Sequence, residues 1–184
     1  MIALNTANKI TISRILLVPI FMIVLMFDFK YNDLIASLIF AIAAATDGVD
    51  GYVARKYNQV TDFGKFIDPL ADKLLVATAL ICLVDMGRIA AYMAVVIIAR
   101  EFIITSLRIV AISKGVVIAA EMTGKIKTVI QIIATVCALV FYDERFMIFG
   151  LSAGYIAMLI ATLFTIYSGY VYLKNNWNLI SESK

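Results

Sequence analysis

Asp47, Asp50, Asp68 and Asp72 are the residues of this chain best able to do chemistry, because they fall in one stretch of a strongly apolar sequence and repeat at helical spacing. The stretch reads Asp47-Gly48-Val49-Asp50-Gly51-Tyr52-Val53-Ala54-Arg55, then eight residues, then Gly64-Lys65-Phe66-Ile67-Asp68-Pro69-Leu70-Ala71-Asp72. On a helix, Asp47, Asp50, Gly51 and Ala54 stand at i, i+3, i+4 and i+7, one continuous face that ends at Arg55. Gly64, Asp68 and Asp72 stand at i, i+4 and i+8 on the helix that follows. Two antiparallel helices joined by a turn around Tyr57–Thr61 would bring the faces together, with Gly51, Ala54 and Gly64 leaving room for close backbone approach or a ligand. A carboxylate at the centre of a membrane helix costs roughly 2.5–3.5 kcal/mol, so a group of them calls for cationic partners.

A cluster of oxygen donors without histidine suits Mg²⁺ or Mn²⁺ better than zinc. Two such ions about 3.5–4 Å apart polarise a phosphoryl oxygen and stabilise a leaving group. Arg55 is suited to bidentate phosphate binding and Lys65 to adding a point charge, so each part of the stretch fits phosphoryl transfer. Alternatively, the aspartates cap helices and pair with Arg55, Lys56, Lys65 and Lys73 at the membrane interface. That explains any one of them more readily than all of them at these offsets. Asp62 is out of phase and reads as a cap or loop residue. The absence of histidine excludes Ser-His-Asp, Cys-His and histidine-ligated zinc chemistry. Cys82 and Cys137 lie in apolar stretches without metal-ligand spacing and read as packing residues.

The elements that position these residues follow from composition. The 184 residues are 63% hydrophobic with a mean hydropathy of +0.96, well above the roughly 45–50% apolar content of soluble domains. The expected class is all-α: a polytopic integral membrane protein forming a single domain over residues 1–184. Its length suffices for about six spans of roughly 20 residues. Apolar runs place these near 10–28, 33–55, 60–84, 89–113, 124–142 and 146–173, with Met1–Ala7 as a short interfacial segment and no cleavable leader. Tyr167, Tyr170, Tyr172 and Trp177 read as interfacial anchors. Lys9, Arg14, Arg55, Lys56, Lys65, Lys73, Arg108, Lys114, Lys125, Lys127, Lys174 and Lys184 lie toward one side, against Lys30, Arg88 and Arg145 toward the other. The positive-inside rule then puts both termini and the aspartates on the cytoplasmic side of the cell membrane. A net charge of +3, scattered among apolar runs, argues against nucleic acid as a partner.

At the aspartate stretch the chain resembles the CDP-alcohol phosphotransferases, whose signature is D-x2-D-G-x2-A-R-x8-G-x3-D-x3-D. Asp47, Asp50, Gly51, Ala54, Arg55, Gly64, Asp68 and Asp72 match every fixed position and spacing. The resemblance implies a six-span fold, usually homodimeric. It implies two divalent ions held by Asp47, Asp50, Asp68 and Asp72, and a cytidine diphosphate pocket shaped by Gly51, Ala54, Arg55 and Gly64, to which the point charge of Lys65 read above would add. It makes Asp72 the general base.

Three looser motifs are similar to those of the bacterial branch that makes phosphatidylglycerophosphate: Asn8-x2-Thr11-x2-Arg14-x4-Pro19, Arg100-Glu101-x3-Thr105-x2-Arg108 and Gly124-Lys125-Ile126-Lys127-Thr128. They imply phosphatidyl transfer from CDP-diacylglycerol to glycerol 3-phosphate with release of CMP.

The acceptor's phosphate needs cations that aspartates cannot supply. Arg108, Lys114 and Lys125, near the ends of the fourth and fifth spans, can form such a pocket; Lys114 would equally face anionic headgroups, an alternative that also exists for Lys125, while for Arg108 and Lys125 the pocket is favoured. Glu101, Thr105 and Arg108 share a face directed into the bundle, and Arg100 and Glu101 can form a buried ion pair. Three rivals stand beside this reading. One is the same chemistry with inositol phosphate, serine or a phospholipid as acceptor. Another is a divalent-cation transporter with an aspartate site, and the last is a structural membrane subunit.

Overall fold

The computed structural model describes residues 6–27, 29–56, 62–116, 118 and 121–177, without the side chains of residues 6–10, 47–56, 62–66, 68, 69 and 144. Among these residues the chain forms six α-helices: α1 (Thr6–Met26), α2 (Asn32–Lys56), α3 (Asp62–Asp85), α4 (Ala91–Ser113), α5 (Met122–Val140) and α6 (Ala153–Asn175). A short 3₁₀ turn (Glu144–Phe146) and a hairpin, β1 (Met147–Ile148) with β2 (Leu151–Ser152), lie between α5 and α6. The chain divides into two compact units, Met1–Arg88 and Ile89–Lys184.

In the first unit α1 packs against α2 and α3, which also touch each other. Each helix buries one stripe at helical period. On α1 it is Thr11, Arg14, Val18 and Phe21; on α2, Ala36, Phe40 and Ala43; on α3, Ala71, Leu75, Ala79 and Leu83. The Phe21 and Phe40 rings lie 6.0 Å apart. At the opposite end from the aspartates, Arg88 pairs with Asp33 at 2.7 Å, tying the residues after α3 to the first turn of α2.

In the second unit α6 packs against both α5 and α4. Its interior is unusually polar: Lys127, Gln131 and Thr135 on α5, and Thr162, Thr165 and Ser168 on α6, are all buried. Val129 and Ile133 of α5, and Ile160, Leu163 and Ile166 of α6, point outward. Helices in water would reverse this arrangement; helices in lipid have no reason to bury apolar side chains preferentially and satisfy their hydroxyls internally. Thr135, Thr162 and Thr165 donate to the carbonyls one turn back, at 2.9, 2.8 and 2.7 Å. By length and composition α5 and α6 are apolar enough to cross a membrane, while α1 and α2 carry shorter apolar stretches, Thr11–Met26 and Asn32–Thr46.

The expected helices are present, with one displacement. The apolar run places the start of the sixth span near residue 146, but α6 begins at Ala153 because Phe149 and Gly150, both at positive φ (52° and 81°), reverse the chain into the hairpin. An apolar run cannot reveal this turn, since Phe149 is not a residue that favours left-handed backbone. Tyr172 also departs from expectation. It is buried and bonded to Arg108, while Tyr167, Tyr170 and Trp177 are exposed. Both cysteines are free thiols, half-buried. Met1–Asn5 and the turn at 57–61 lie outside the described residues.

The helix pair α5–α6 approaches closely at Gly154, where an added Cβ would lie 2.6 Å from Ala138 Cα and 2.7 Å from the Cys137 carbonyl oxygen. Only backbone movement relieves such a contact. Gly154→Ala is therefore expected to cost about 1–3 kcal/mol. Gly169→Ala should cost less, because its Cβ would meet the flexible Arg100 side chain at 3.2 Å. Thermal unfolding in detergent checks the order; a Gly154→Ala protein melting at the wild-type temperature would rule out the close approach.

Candidate active site

The aspartate stretch occupies the last three turns of α2 and the first three of α3, joined by residues 57–61. Both helices are continuous through it. The buried α2 stripe, Ala36, Phe40 and Ala43, continues at the same register to Asp47, Asp50 and Ala54. On α3 the stripe through Leu75, Ala79 and Leu83 continues in the other direction to Asp72, Asp68 and Gly64. Helical period thus places acidic and small residues in register with both buried stripes at the helix ends that residues 57–61 join. Of the aspartates, Asp72 alone has a described side chain, which is half-buried. The side chains of Asp47, Asp50, Arg55, Lys65 and Asp68 lie outside the description, as does that of Ala54. Gly51 and Gly64 are known by their place on α2 and α3.

One cation under this region has a place in a sequence motif but no role from the sequence alone. Arg14 is buried on α1, and its Nε donates to Thr46 Oγ1 at 3.5 Å. Thr46 immediately precedes Asp47, and its own hydroxyl donates to the Ala43 carbonyl at 2.7 Å. A buried guanidinium here sets a fixed positive charge at the acidic end of α2, the kind of partner that carboxylates in an apolar helix call for. The available signal is an arginine inside the first apolar run, one turn after Thr11.

In the second unit the expected cations part company. Arg108 is exposed, yet its Nε donates to the hydroxyl of the buried Tyr172 at 3.0 Å and its guanidinium lies 5.4 Å from that ring's centre. Lys114 caps the C-terminus of α4 and is exposed, a favourable place for a positive charge against the helix dipole. Lys125 is exposed in the first turn of α5. Glu101 and Thr105 are half-buried, which partly meets the expectation of an inward α4 face.

The residue not anticipated is Lys127. It is buried and bonds the Glu101 carboxylate, which also accepts from Arg100 Nη1 at 3.1 Å. Arg100 Nη2 donates onward to Ser168 at 3.0 Å. The expected Arg100–Glu101 pair is therefore part of a larger cluster joining α4, α5 and α6. Gln131, one turn past Lys127, is buried with no partner for either side-chain polar atom among the described residues.

Residues 4–167 match the family described as CDP-alcohol phosphatidyltransferase, and the chain belongs to that family. It is 46% identical to a protein of Bacillus subtilis named CDP-diacylglycerol–glycerol-3-phosphate 3-phosphatidyltransferase, over 97% of this chain and 98% of that protein. Proteins of the same name from Rickettsia felis (34% identity; 92% and 94% covered) and Yersinia enterocolitica (34%; 97% and 98%) are also similar. Members of the family generally use divalent metal ions.

The Glu101 cluster makes a direct prediction. Glu101→Gln leaves the buried Lys127 and the half-buried Arg100 without their carboxylate and should destabilise the protein by about 3–5 kcal/mol. Removing one of them as well, in Glu101→Gln/Lys127→Met, should recover part of that loss. Gln131→Leu, which deletes an unpartnered polar group, should be neutral or stabilising. Unfolding temperatures of the four proteins test the set; equal melting of wild type and Glu101→Gln would dissolve the cluster.

Proposed function

We propose that this protein is a membrane phosphatidyltransferase that transfers the phosphatidyl group of CDP-diacylglycerol to glycerol 3-phosphate, giving phosphatidylglycerophosphate and CMP. The observation that carries the proposal is the complete Asp/Gly/Ala/Arg signature on two consecutive, uninterrupted helices. Near full-length likeness to proteins named for this reaction supports the choice of acceptor. The family match spans both compact units, which favours one functional membrane domain. The arrangement proposed is six spans in the cell's inner membrane, with termini and active site cytoplasmic, and a homodimer.

Asp47, Asp50, Asp68 and Asp72 form a hard, all-oxygen donor set, and they would hold two divalent ions, Mg²⁺ or Mn²⁺. Bound there, the ions would neutralise and polarise the pyrophosphate. Gly51, Ala54 and Gly64 leave space for the cytidine diphosphate, Arg55 takes a phosphate through its planar fork, and Lys65 adds a point charge. Arg108, Lys114 and Lys125 receive the acceptor's phosphate.

Asp72 orients the sn-1 hydroxyl of glycerol 3-phosphate and takes its proton as the oxygen forms a bond to the phosphorus bearing diacylglycerol. The bond from that phosphorus to the bridging oxygen breaks, and CMP leaves with the oxygen and its electron pair. The anhydride is already activated, so ATP is not consumed. What the chain contributes is position and charge.

A cation-transport site is disfavoured by the helices themselves. Transport sites typically sit where membrane helices are interrupted, and α2 and α3 run unbroken through the aspartates.

Purified protein should release CMP from CDP-diacylglycerol when given glycerol 3-phosphate, lose the activity in chelator and regain it with Mg²⁺. No CMP release, with metal flux into liposomes, would overturn the reading. Asp72→Asn should lower turnover by at least about 10²-fold, and near wild-type turnover would remove Asp72 from its role. Lys125→Ala should raise KM for glycerol 3-phosphate about tenfold with kcat largely kept. Competing serine, inositol phosphate and glycerol 3-phosphate for labelled donor identifies the acceptor.

A further inference from the structure

The connection between α5 and α6 is the most apolar exposed non-helical segment among the described residues. Phe146, Met147, Ile148, Phe149 and Leu151 are all exposed, and Phe149, at the tip, is 101% exposed. The hairpin is a built structure: Met147 pairs with Ser152 and Ile148 with Leu151. Phe146 packs edge-on against Phe141 at 5.0 Å, and the Ser152 hydroxyl caps α6 by accepting from the Tyr155 N–H at 3.1 Å.

Phe149 is also in the wrong backbone region for its type. Its φ of 52° is the left-handed conformation that glycine or asparagine adopts at this hairpin position and that a bulky side chain adopts at a cost. A residue both strained and fully displayed points to a role for the side chain outside the fold.

We infer that this hairpin is a membrane-interface anchor whose apolar tip, Phe149 foremost, lies among the lipid headgroups and upper acyl chains where α5 and α6 meet. The inference rests on the reading that α5 and α6 cross the membrane. The 23 residues of α6 span about 34 Å at ~1.5 Å per residue, against a hydrocarbon core of about 30 Å. The N-terminus of α6 therefore ends at the boundary of the core. The hairpin is attached directly there, and its two-residue strands reach roughly 7 Å at ~3.3 Å per residue. That distance is comparable with the headgroup layer, about 5–8 Å on each side.

Attached directly to α6, the apolar tip is thus held in the interfacial zone. Its backbone groups are partly paired within the hairpin, which lowers the cost of leaving water. The exposed Asp143–Arg145 pair, 3.5 Å apart, supplies polar groups at the hairpin's base.

A fluorescent reporter tests this directly. Trp177 is the chain's sole tryptophan, so Phe149→Trp is made in a Trp177→Phe background and reconstituted into phosphatidylcholine/phosphatidylglycerol vesicles. Leu163→Trp, midway along the exposed face of α6, and Ile148→Trp are made in parallel. The expected result for the Phe149→Trp protein is blue-shifted emission, quenched at least twofold by lipids carrying a nitroxide high on the acyl chain and little by aqueous acrylamide. The Leu163→Trp protein should be quenched by a nitroxide near the chain end.

Strong acrylamide quenching of the Phe149→Trp protein overturns the inference in favour of a hydrated loop. Shielding from both quenchers overturns it in favour of a protein partner or a second copy of the chain. The Leu163→Trp protein distinguishes the two levels of the argument. If its emission escapes deep lipid quenching, the membrane-crossing reading fails; if it is quenched while the tip reporter is not, only the anchor fails. Ile148→Trp decides the matter by the same criteria should Phe149→Trp not fold.

Discussion

Charge compensation inside an apolar chain is the constraint from which the rest of this structure follows. A helix meant for lipid can carry a carboxylate or a cation only where something nearby neutralises or hydrates it. The chain meets that demand differently in its two halves. In the second unit the answer is internal: Glu101 lies between Arg100 and Lys127, and Ser168 takes up a further guanidinium donor. In the first unit, Arg14, buried on α1 and bonded to Thr46, sets a positive charge beside the acidic last turns of α2. A buried ion pair is weak evidence for net stability but strong evidence for fixed geometry, since removing either partner strands the other.

The same constraint shapes the helices. Where α5 and α6 meet, the interior holds threonine, serine, glutamine and lysine, and the exterior isoleucine, leucine and valine. Small and hydroxylated residues let the backbones approach, as at Gly154, and their hydroxyls return to carbonyls one turn back. On α2 and α3 the positions in register with the buried stripe change along the helix, from phenylalanine, leucine and alanine to aspartate and glycine. One helical face therefore carries apolar packing residues at one end and, in the same register, acidic and small residues at the other.

Much of this could be read from the sequence because the relevant signals are periodic and local. The helices and the aspartate signature both repeat with the α-helical turn, so their elements were legible from Asp47 to Asp72 and from Arg100 to Arg108. What escaped depends on which way a side chain turns in three dimensions. Arg14 and Lys127 count as cytoplasmic charge in a linear reading, yet both are buried. Tyr172 has the composition of a headgroup anchor, but its hydroxyl is occupied by Arg108. The hairpin at 147–152 is absorbed into the sixth apolar run because its turn uses a phenylalanine where glycine or asparagine would have announced it.

Lys125 and Lys127 show why counting charges is not enough to find a site. They are two residues apart on α5, about 200° around the helix, so they present to opposite environments. Lys127 faces inward and is committed to Glu101, and a cation so neutralised has little field left for a substrate phosphate. Lys125 is exposed, and under the proposed function it is the one left to meet a substrate phosphate. Turnover requires that distinction. A cation that fixes the bundle must be matched permanently by protein, whereas one that serves a substrate must be matched only while the substrate is present.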